Sequence, residues 1–502
     1  MFEATWESVR THQVPQWFHD AKLGVFLHWG LYSVPGWAPQ VTDIGDLMVS
    51  GGPRRVLRDN PYAEWYGNTM QIEGSPTQLH HRRTYGDAPY DDFVAAFDDA
   101  STRADLDALA EVCRSAGAGY VVLTTKHHDG FSLWPSGTPH PTKGTYQARR
   151  DLVGDLTAAV RARGMHMGLY YSGGYDWPFN GAVLKRAADA ILAVPSSPQY
   201  LDYATAHLRE LIDRYHPSIL WNDIGWPAGG NLAELFAYYY NTVEDGVIND
   251  RWLESTLPRN AVSDAVIGFA GDVLQALWRF LPERRRRQIL FAGAKHYDFR
   301  TPEYSQFDHV PHKKWESTRG VGHSFGANRN ERPEDILSPQ ELIWLLCDVV
   351  SKNGNLLIGV GPTPEGAIPE LQLAPLRGLG TWMAGHGGVV RASRPWDLIA
   401  PTGPDAHRVR YLQNGGRVFA LMKLAADART FRLDNVEHGS PGPPVVGLPA
   451  PVRCDLDPSS GTLTLPDRLP DHQVYVVDLG DSARPRAGAA LPGSSRGAGP
   501  AL

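Results

Sequence analysis

Cysteine is scarce in this chain of 502 residues, with only Cys113, Cys347 and Cys454. The three residues are far apart, and they lack the paired spacing of a zinc site or of a disulfide framework. The sequence therefore indicates neither structural disulfides nor a cysteine-based metal centre.

Positive charge of the kind that binds polyanions is also missing. Lys and Arg number 48 against 55 Asp and Glu, a formal net charge of -7. General affinity for nucleic acid or for an anionic membrane is therefore not expected. No stretch is long enough to span a bilayer, and residues Met1 to Glu7 contain acids and no apolar signal segment. These absences predict a cytoplasmic protein.

A helix followed by an apolar strand recurs along the first part of the chain. The strand segments are Tyr120 to Leu123, Met165 to Tyr171, Ile219 to Trp221 and Leu356 to Ile358. Before each strand, apolar residues recur three and four positions apart, as on the buried face of a helix. They are Leu106, Leu109, Ala110 and Cys113; Leu152, Leu156, Ala159 and Val160; Leu201, Ala204, Leu208, Leu211 and Tyr215; and Leu342, Leu345, Leu346 and Val349. Helices that alternate with continuously apolar strands predict a parallel sheet covered on both faces.

Polar or ionisable residues stand at the carboxyl ends of five predicted strands, namely Val25–His28, Val121–His127/His128, Gly168–Tyr170, Ile219–Asp223 and Val247–Arg251. In a (β/α) barrel these strand ends converge on the face where active sites lie. The first strand lacks the Gly-rich phosphate loop of a dinucleotide-binding open sheet. We therefore predict an α/β fold with a (β/α)8-like, TIM-type barrel over residues 1–387.

Short β segments replace the helix and strand repeat from about residue 388, and Asn414-Gly415 is a strong hairpin signal. We predict a small C-terminal β-sandwich over 388–481 and a disordered, Gly/Ala/Pro-rich tail over 482–502.

Two segments interrupt the barrel pattern. Residues 40–60 are interpreted as a loop. An insert at about 253–295 contains a helical stretch from Val273 to Phe280, followed by Arg284 to Arg287. The arginine run is interpreted as solvent-facing charge at a helix end, with a lid or an oligomer contact as the alternative.

Imidazoles, carboxylates and indoles gather at or near the predicted strand ends. Sugar hydroxyls need paired donors and acceptors, and the C–H face of a sugar ring needs an aromatic wall, so this mixture suits a glycan pocket. His127 and His128 with Asp129 are the alternative start of a metal site, but no third ligand stands at a convincing spacing.

Five ordered sequence blocks resemble the α-L-fucosidases of glycoside hydrolase family 29. They are Phe26 to Pro35, Val121 to Trp134, Leu220 to Pro227, Lys314 to Glu316 and Val349 to Pro362. The resemblance implies a (β/α)8-like barrel with a C-terminal β-sandwich, no metal or organic cofactor, and hydrolysis with retention of configuration.

The resemblance also implies roles for two acidic residues. Asp223 matches the family's nucleophile, and Glu303, in Thr301-Pro302-Glu303-Tyr304, matches its general acid and base. As the acid, Glu303 must hold a proton at the working pH, which burial or the nearby charge of Asp223 would favour. Glu316 is the competing candidate, and its structural alternative is an ion pair with Arg319 or a nearby Lys.

The remaining matched positions imply substrate contacts. Family residues that hold the fucose hydroxyls and ring match His28, Glu64, Trp65, His127, His128 and Tyr170, and those beside the catalytic pair match Trp221 and Arg251. The predicted function is a retaining exo-α-L-fucosidase acting on a fucosylated glycan or glycoside. The alternatives are a glycosidase for another galactose-configured or 6-deoxy sugar and a non-hydrolytic fucose-binding or transfucosylating variant. The oligomeric state stays open, with a homo-oligomer among the expectations.

Overall fold

The structure is a computed structural model. It describes residues 1–254, 260–282, 294–424, 429–433, 435–437, 442–448, 451–457, 459–467, 469 and 474–486.

Eight parallel strands form one sheet that closes on itself. They are β1 Leu23–Leu27, β2 Tyr120–Lys126, β3 His166–Ser172, β4 Ile219–Asp223, β5 Val247–Ile248, β6 Phe299–Arg300, β7 Lys314–Gly320 and β8 Gly354–Val360. Their spatial order is β5-β4-β3-β2-β1-β8-β7-β6. A parallel bridge between Asn249 and Phe299 joins the two ends of this order. The TIM-type barrel predicted from the sequence is confirmed.

Helices surround the sheet. They are α1 Trp6–Val9, α2 Gln16–Ala21, α3 Ile44–Arg58, α4 Tyr66–Thr69, α5 Pro76–Tyr85, α6 Phe93–Ser101, α7 Leu106–Ser115, α8 Leu152–Ala162, α9 Trp177–Asn180, α10 Asp189–Leu192, α11 Pro198–Tyr215, α12 Leu232–Thr242, α13 Ala261–Leu277, α14 Pro339–Ser351 and α15 Glu370–Val390. The four helices predicted from apolar periodicity are α7, α8, α11 and α14. Each begins after a residue whose side chain accepts a hydrogen bond from a backbone amide of the first turn, Asp105, Asp151, Ser197 and Ser338 respectively.

The barrel interior is filled by side chains. Its cluster contains Phe18, Phe26, Tyr120, Val122, Tyr170, Ile219, Trp221, Val247, Phe299 and Leu357. Gly24 leaves room for the Tyr120 ring, because a Cβ at Gly24 would lie 2.3 Å from a ring carbon. The core therefore closes the barrel beneath the strand ends, and a pocket can open only at its carboxyl face.

The C-terminal part is antiparallel. Its strands are β9 Arg394–Pro395, β10 Val409–Asn414, β11 Arg417–Lys423, β12 Thr430–Arg432, β13 Val436–Glu437, β14 Pro444–Val446, β15 Val452–Arg453, β16 Asp455–Asp457, β17 Thr462–Thr464, β18 Val474–Gly480 and β19 Arg484–Pro485. The predicted hairpin joins β10 to β11, with Asn414 opposite Arg417. Strand β11 shows the alternation of a strand between two layers: Phe419 and Leu421 belong to the barrel cluster, whereas Val418, Ala420 and Met422 belong to the sandwich cluster.

Two segments differ from their sequence interpretation. Residues 40–60, interpreted as a loop, contain α3, which begins after the capping side chain of Asp43 and is kinked at Gly52, where φ is 71°. The Gly and Pro that suggested a loop instead break this helix in two, since Pro53 stands at the first position of the second half. Residues 484–485, placed in the tail, form β19 and pair with β13; residues 487–502 lie outside the described part of the chain.

The insert carries α13, which is longer than the predicted stretch. Ala261–Phe280 is, by length and composition, apolar enough to cross a membrane, the one such helix among the described residues, and 11% of its most apolar 18-residue window is buried. The expectation that no stretch is long enough to span a bilayer was wrong, because Asp264 and Asp272 interrupt the apolar residues but leave the mean hydropathy of the segment high. A single helix of this kind is weak evidence for a membrane. The arginine run at 284–287 lies outside the described residues.

Candidate active site

One guanidinium group bridges the two predicted catalytic carboxylates. Arg251 Nη1 donates to Asp223 Oδ1 at 2.9 Å, and Arg251 Nη2 donates to Glu303 Oε2 at 3.0 Å. Burial disfavours the charged guanidinium, but Asp223 and Glu303 hold the pKa of Arg251 above its usual range. Arg251 is fixed in turn by Thr301, whose hydroxyl accepts from Nε at 3.0 Å. Both carboxylates therefore face one side of the pocket.

Asp223 is the last residue of β4, where the chain turns out of the barrel. Its second oxygen, Oδ2, accepts a hydrogen bond from the Tyr170 hydroxyl at 2.9 Å. Tyr170 comes from the adjacent strand β3, so the barrel register itself brings the two side chains together. The carboxylate is held on both oxygens, which fixes its orientation.

Glu303 lies between β6 and β7, where it forms a bridge with Thr318. Its Oε1 accepts a hydrogen bond from the Tyr62 hydroxyl at 2.5 Å. The side chain keeps 21% of its surface exposed, compared with 11% for Asp223. Glu303 therefore combines an anchored carboxylate with access to solvent, as a residue that exchanges protons with water requires.

Glu316, the competing candidate, lies on β7 and is fully buried beneath the pocket. It accepts hydrogen bonds from Tyr120 OH at 2.5 Å and from Trp221 Nε1 at 3.1 Å. Burial raises the pKa of Glu316 to about 7, against the effect of these two donors. The residue positions the Trp221 indole, on which the Arg251 guanidinium lies 4.8 Å from the ring centroid.

Three histidines lie close together at the carboxyl ends of β1 and β2. The His127 and His128 rings lie 4.0 Å apart between centroids, and His28 lies 6.0 Å from His127. Burial lowers the pKa of all three imidazoles well below the usual value, so they are neutral near pH 7. The buried Nδ1 atoms of His28 and His127 have no hydrogen-bond partner among the described residues. Buried polar atoms without a partner are uncommon in proteins, and they mark this cluster as a candidate site.

Glu64 and Trp65 lie beside the histidines on a short 3-10 turn, Ala63–Trp65. Glu64 Oε2 accepts from Gly326 N at 2.8 Å and from Ser324 Oγ at 3.3 Å. Burial raises the pKa of Glu64 to about 7, and the backbone hydrogen bond opposes this shift. The Trp65 ring stands edge-on to His128 at 5.3 Å and supplies an apolar wall.

The structure adds residues that the sequence analysis missed. Phe325 lies 4.8 Å from the His28 ring and 6.2 Å from Phe26 and forms an apolar corner with them. Tyr62 lies two residues before Glu64, and this closeness to a predicted site residue could have identified it from the sequence. Phe325 follows β7 in a loop without any sequence pattern, and only the fold brings it to His28.

The described residues do not support the metal-site alternative at His127 and His128. Among the described residues, no group of three or more His, Cys, Asp or Glu side chains is placed to hold a metal ion. Asp129 is engaged elsewhere, since its Oδ2 accepts from Tyr90 OH at 2.9 Å.

A carboxylate pair at the carboxyl face of a TIM-type barrel, beside neutral imidazoles and aromatic walls, defines the class of glycoside hydrolases. Comparisons with known proteins give the family. The family model described as alpha-L-fucosidase matches residues 1–268 and 284–388. An alpha-L-fucosidase of Dictyostelium discoideum is 31% identical over 88% of this chain and 86% of its own length.

Solved structures agree. Thermotoga maritima alpha-fucosidase in complex with a mechanism-based inhibitor superposes with a TM-score of 0.75 at 36% identity, covering 95% of this chain and all of that chain. The same enzyme in complex with fucose gives a TM-score of 0.75 at 35% identity, again over 95% of this chain and 100% of that chain. This chain belongs to the α-L-fucosidase family.

Proposed function

We propose that the chain is a retaining exo-α-L-fucosidase, with Asp223 as the nucleophile and Glu303 as the general acid and base. The observation that carries this assignment is the bridge of Arg251 to both carboxylates. One guanidinium holds the two carboxyl groups close together, so that both can reach the same glycosidic bond. The complex of the Thermotoga maritima enzyme with fucose supports fucose as the sugar. The complex with a mechanism-based inhibitor supports a covalent intermediate.

In the first step, the Asp223 carboxylate forms a bond to the anomeric carbon while the bond from that carbon to the leaving oxygen breaks. Glu303 gives its proton to the leaving oxygen, so the aglycone departs as an alcohol. The product is a glycosyl ester on Asp223. Tyr170 and Arg251, which donate to the two oxygens of Asp223, orient the carboxylate for this attack.

In the second step, the Glu303 carboxylate takes a proton from water as the water oxygen bonds to the anomeric carbon. The ester bond to Asp223 breaks and the free carboxylate is restored. Two inversions give net retention. The partial exposure of Glu303 supports this role, because water must reach that residue.

Fucose hydroxyls are assigned to His28, His127, His128 and Glu64. A neutral imidazole has one donor and one acceptor, and His128 keeps only Nε2 for the sugar because its Nδ1 is hydrogen-bonded to Ser172 Oγ at 2.7 Å. An ionised Glu64 offers acceptors alone. Phe26 and Phe325 are assigned to the sugar methyl group. A 6-hydroxyl placed in this apolar corner would lose its hydrogen bonds with water, at a cost of about 1–3 kcal/mol. The pocket therefore favours fucose over galactose-configured sugars that carry a 6-hydroxyl.

Hydrolysis tests the proposal. Purified wild type should cleave an aryl α-L-fucoside and leave an aryl α-galactoside nearly untouched, and Asp223→Ala should lose cleavage while still binding fucose. Preference for the galactoside would indicate the alternative sugar. Fucose binding without cleavage of any fucoside in a glycan panel would indicate a non-hydrolytic protein.

A further inference from the structure

The outward face of helix α13 is apolar. Val262, Val266, Phe269, Val273, Leu277 and Phe280, which we call the α13 outer face, are between 39% and 74% exposed. Phe280 belongs to the short 3-10 turn that extends the helix. Large apolar side chains occupy every turn of this face, an arrangement that a monomer's surface rarely shows.

The opposite side of α13 contacts the protein near α3 and α10. Trp278 packs with Leu47, Met48 and Val56 and donates from Nε1 to Met48 O at 2.8 Å. A Cβ on Gly271 would lie 2.8 Å from the Ala188 Cβ, which shows how closely the helix approaches α10. Arg186 donates to Asp272 at 3.2 Å.

The spacing of the outer face is that of a helix that packs along another helix. Successive members are four, three, four, four and three positions apart. This alternation of threes and fours repeats close to every seven residues, as in the seam of a coiled coil. An interface with a loop or with a sheet edge does not require such a period.

We propose that the α13 outer face is a dimer interface at which α13 packs antiparallel against α13 of a second copy of this chain. A two-fold axis that passes between Phe269 and Val273 on the outer face places Phe269 against Val273 of the second copy, Val266 against its Leu277, and Val262 against its Phe280. Each pair joins a valine with a larger side chain, so the seam has even width along its length. One surface serves both copies, as two-fold symmetry requires.

The area is sufficient for such a contact. Six side chains exposed to this degree present on the order of 500 Å² per copy, near the top of the range of about 300–600 Å² for the largest patch on a typical monomer. Two copies together bury about 1,000 Å², the lower limit for a specific interface.

A bilayer fits less well. Helices that lie on membranes carry Lys and Arg on the polar face. Among residues 260–282, the charged residues are Asp264, Asp272, Arg279 and no Lys. Because Arg284 to Arg287 follow in the sequence, vesicles form one arm of the test.

Sedimentation velocity on the full chain over a wide concentration range tests the proposal. Wild type should be a dimer, and Phe269→Glu should raise the dissociation constant by about tenfold or more. Leu79→Glu is the matched control, since Leu79 is an exposed apolar residue on α5, and it should stay dimeric. Both variants should hydrolyse an aryl α-L-fucoside at the wild-type rate per chain, which shows that they are folded.

Cysteine pairing tests the orientation. Mixing Phe269→Cys with Val273→Cys should give a disulfide-linked dimer, whereas Phe269→Cys alone should not, because antiparallel packing brings position 269 to position 273. The native cysteines are buried and do not compete. Monomeric wild type at all concentrations, or a Phe269→Glu protein with the dissociation constant of the wild type, would overturn the proposal. Monomeric wild type that binds phosphatidylserine vesicles would reassign the surface to a membrane.

Discussion

At the residue scale, two buried or partly buried glutamates near Asp223 have different surroundings. Glu303 accepts from Tyr62 and Arg251 and reaches solvent, whereas Glu316 accepts from Tyr120 and Trp221 inside the barrel. Only the first can exchange a proton with an incoming water molecule. The difference supports the proposed role of Glu303 and gives Glu316 a positioning role.

We therefore expect Glu303→Ala to lose about two to four orders of magnitude in kcat/KM on fucosides with poor leaving groups. Azide should restore part of its activity on an activated aryl fucoside, since a small anion needs no general base. Glu316→Gln is the matched control and should show no azide effect. Azide rescue in Glu316→Gln, with an active Glu303→Ala, would reverse the assignment.

The raised pKa of Glu316 makes a prediction for stability against pH. In the unfolded chain this carboxyl ionises near pH 4.5, but in the folded protein it keeps its proton until about pH 7. Between these values the folded state binds more protons, so its stability falls as pH rises. Thermal unfolding of wild type and Glu316→Gln should show that the Tm of the variant, relative to wild type, is higher at pH 8 than at pH 5. A pH-independent difference would contradict the buried, protonated state.

The Tyr62 contact, which the sequence analysis did not anticipate, is testable too. Tyr62→Phe removes the donor to Glu303 Oε1 and should lower kcat by about tenfold with little change in KM, because the hydrogen bond orients the carboxylate and not the sugar. Steady-state kinetics on an aryl α-L-fucoside measure this split. Unchanged kcat would show that Arg251 alone orients Glu303.

At the scale of elements, the sequence predicted the helices from their apolar periodicity and the site residues from their positions at strand ends. Strands β1 to β4 and the residues at their ends were found because a buried parallel strand is continuously apolar until it meets the site. Helix α3 was missed because Gly52 and Pro53 are ordinary loop signals, yet they kink the helix. Phe325 was missed because a loop residue has no period, and tertiary contact alone places it beside His28.

At the kink of α3, adding one methyl group to Gly52 should lower the stability of the protein. Gly52 has φ of 71°, and a Cβ there would lie 2.9 Å from the Trp278 ring. Gly52→Ala should cost about 1–3 kcal/mol of stability. Gly388→Ala is the control, since it lies in α15 with open space around its Cβ position, and it should be neutral or slightly stabilising. Equal Tm values for both variants would contradict the strained kink.

At the scale of the whole molecule, the C-terminal strands and the barrel share a core. Leu412, Phe419, Leu421, Val474 and Val476 pack into the barrel cluster. Trp382 donates from Nε1 to Val474 O at 3.0 Å, and Arg410 donates to Asp348 at 2.6 Å. We propose a catalytic unit over 1–387 and a β-sandwich over 388–481 that depend on each other for stability.

A chain ended after residue 387 should therefore aggregate or unfold at a lower temperature, because it exposes the apolar faces of α14 and α15. A chain ended after residue 486, which retains β19, should keep wild-type activity and Tm. Solubility and thermal unfolding of the two truncated chains provide the measurement. A stable, active 1–387 chain would show that the barrel is independent.

In the proposed mechanism Asp223 carries the sugar between the two steps. Treatment with 2-fluoro-fucosyl fluoride, which forms the ester quickly and releases it slowly, followed by mass spectrometry of the modified peptide, tests this directly. We predict one fluorofucosyl group per chain, attached to Asp223 and absent from Asp223→Ala. Attachment to Glu303 or Glu316, or turnover without any attached sugar and with inverted product, would contradict it.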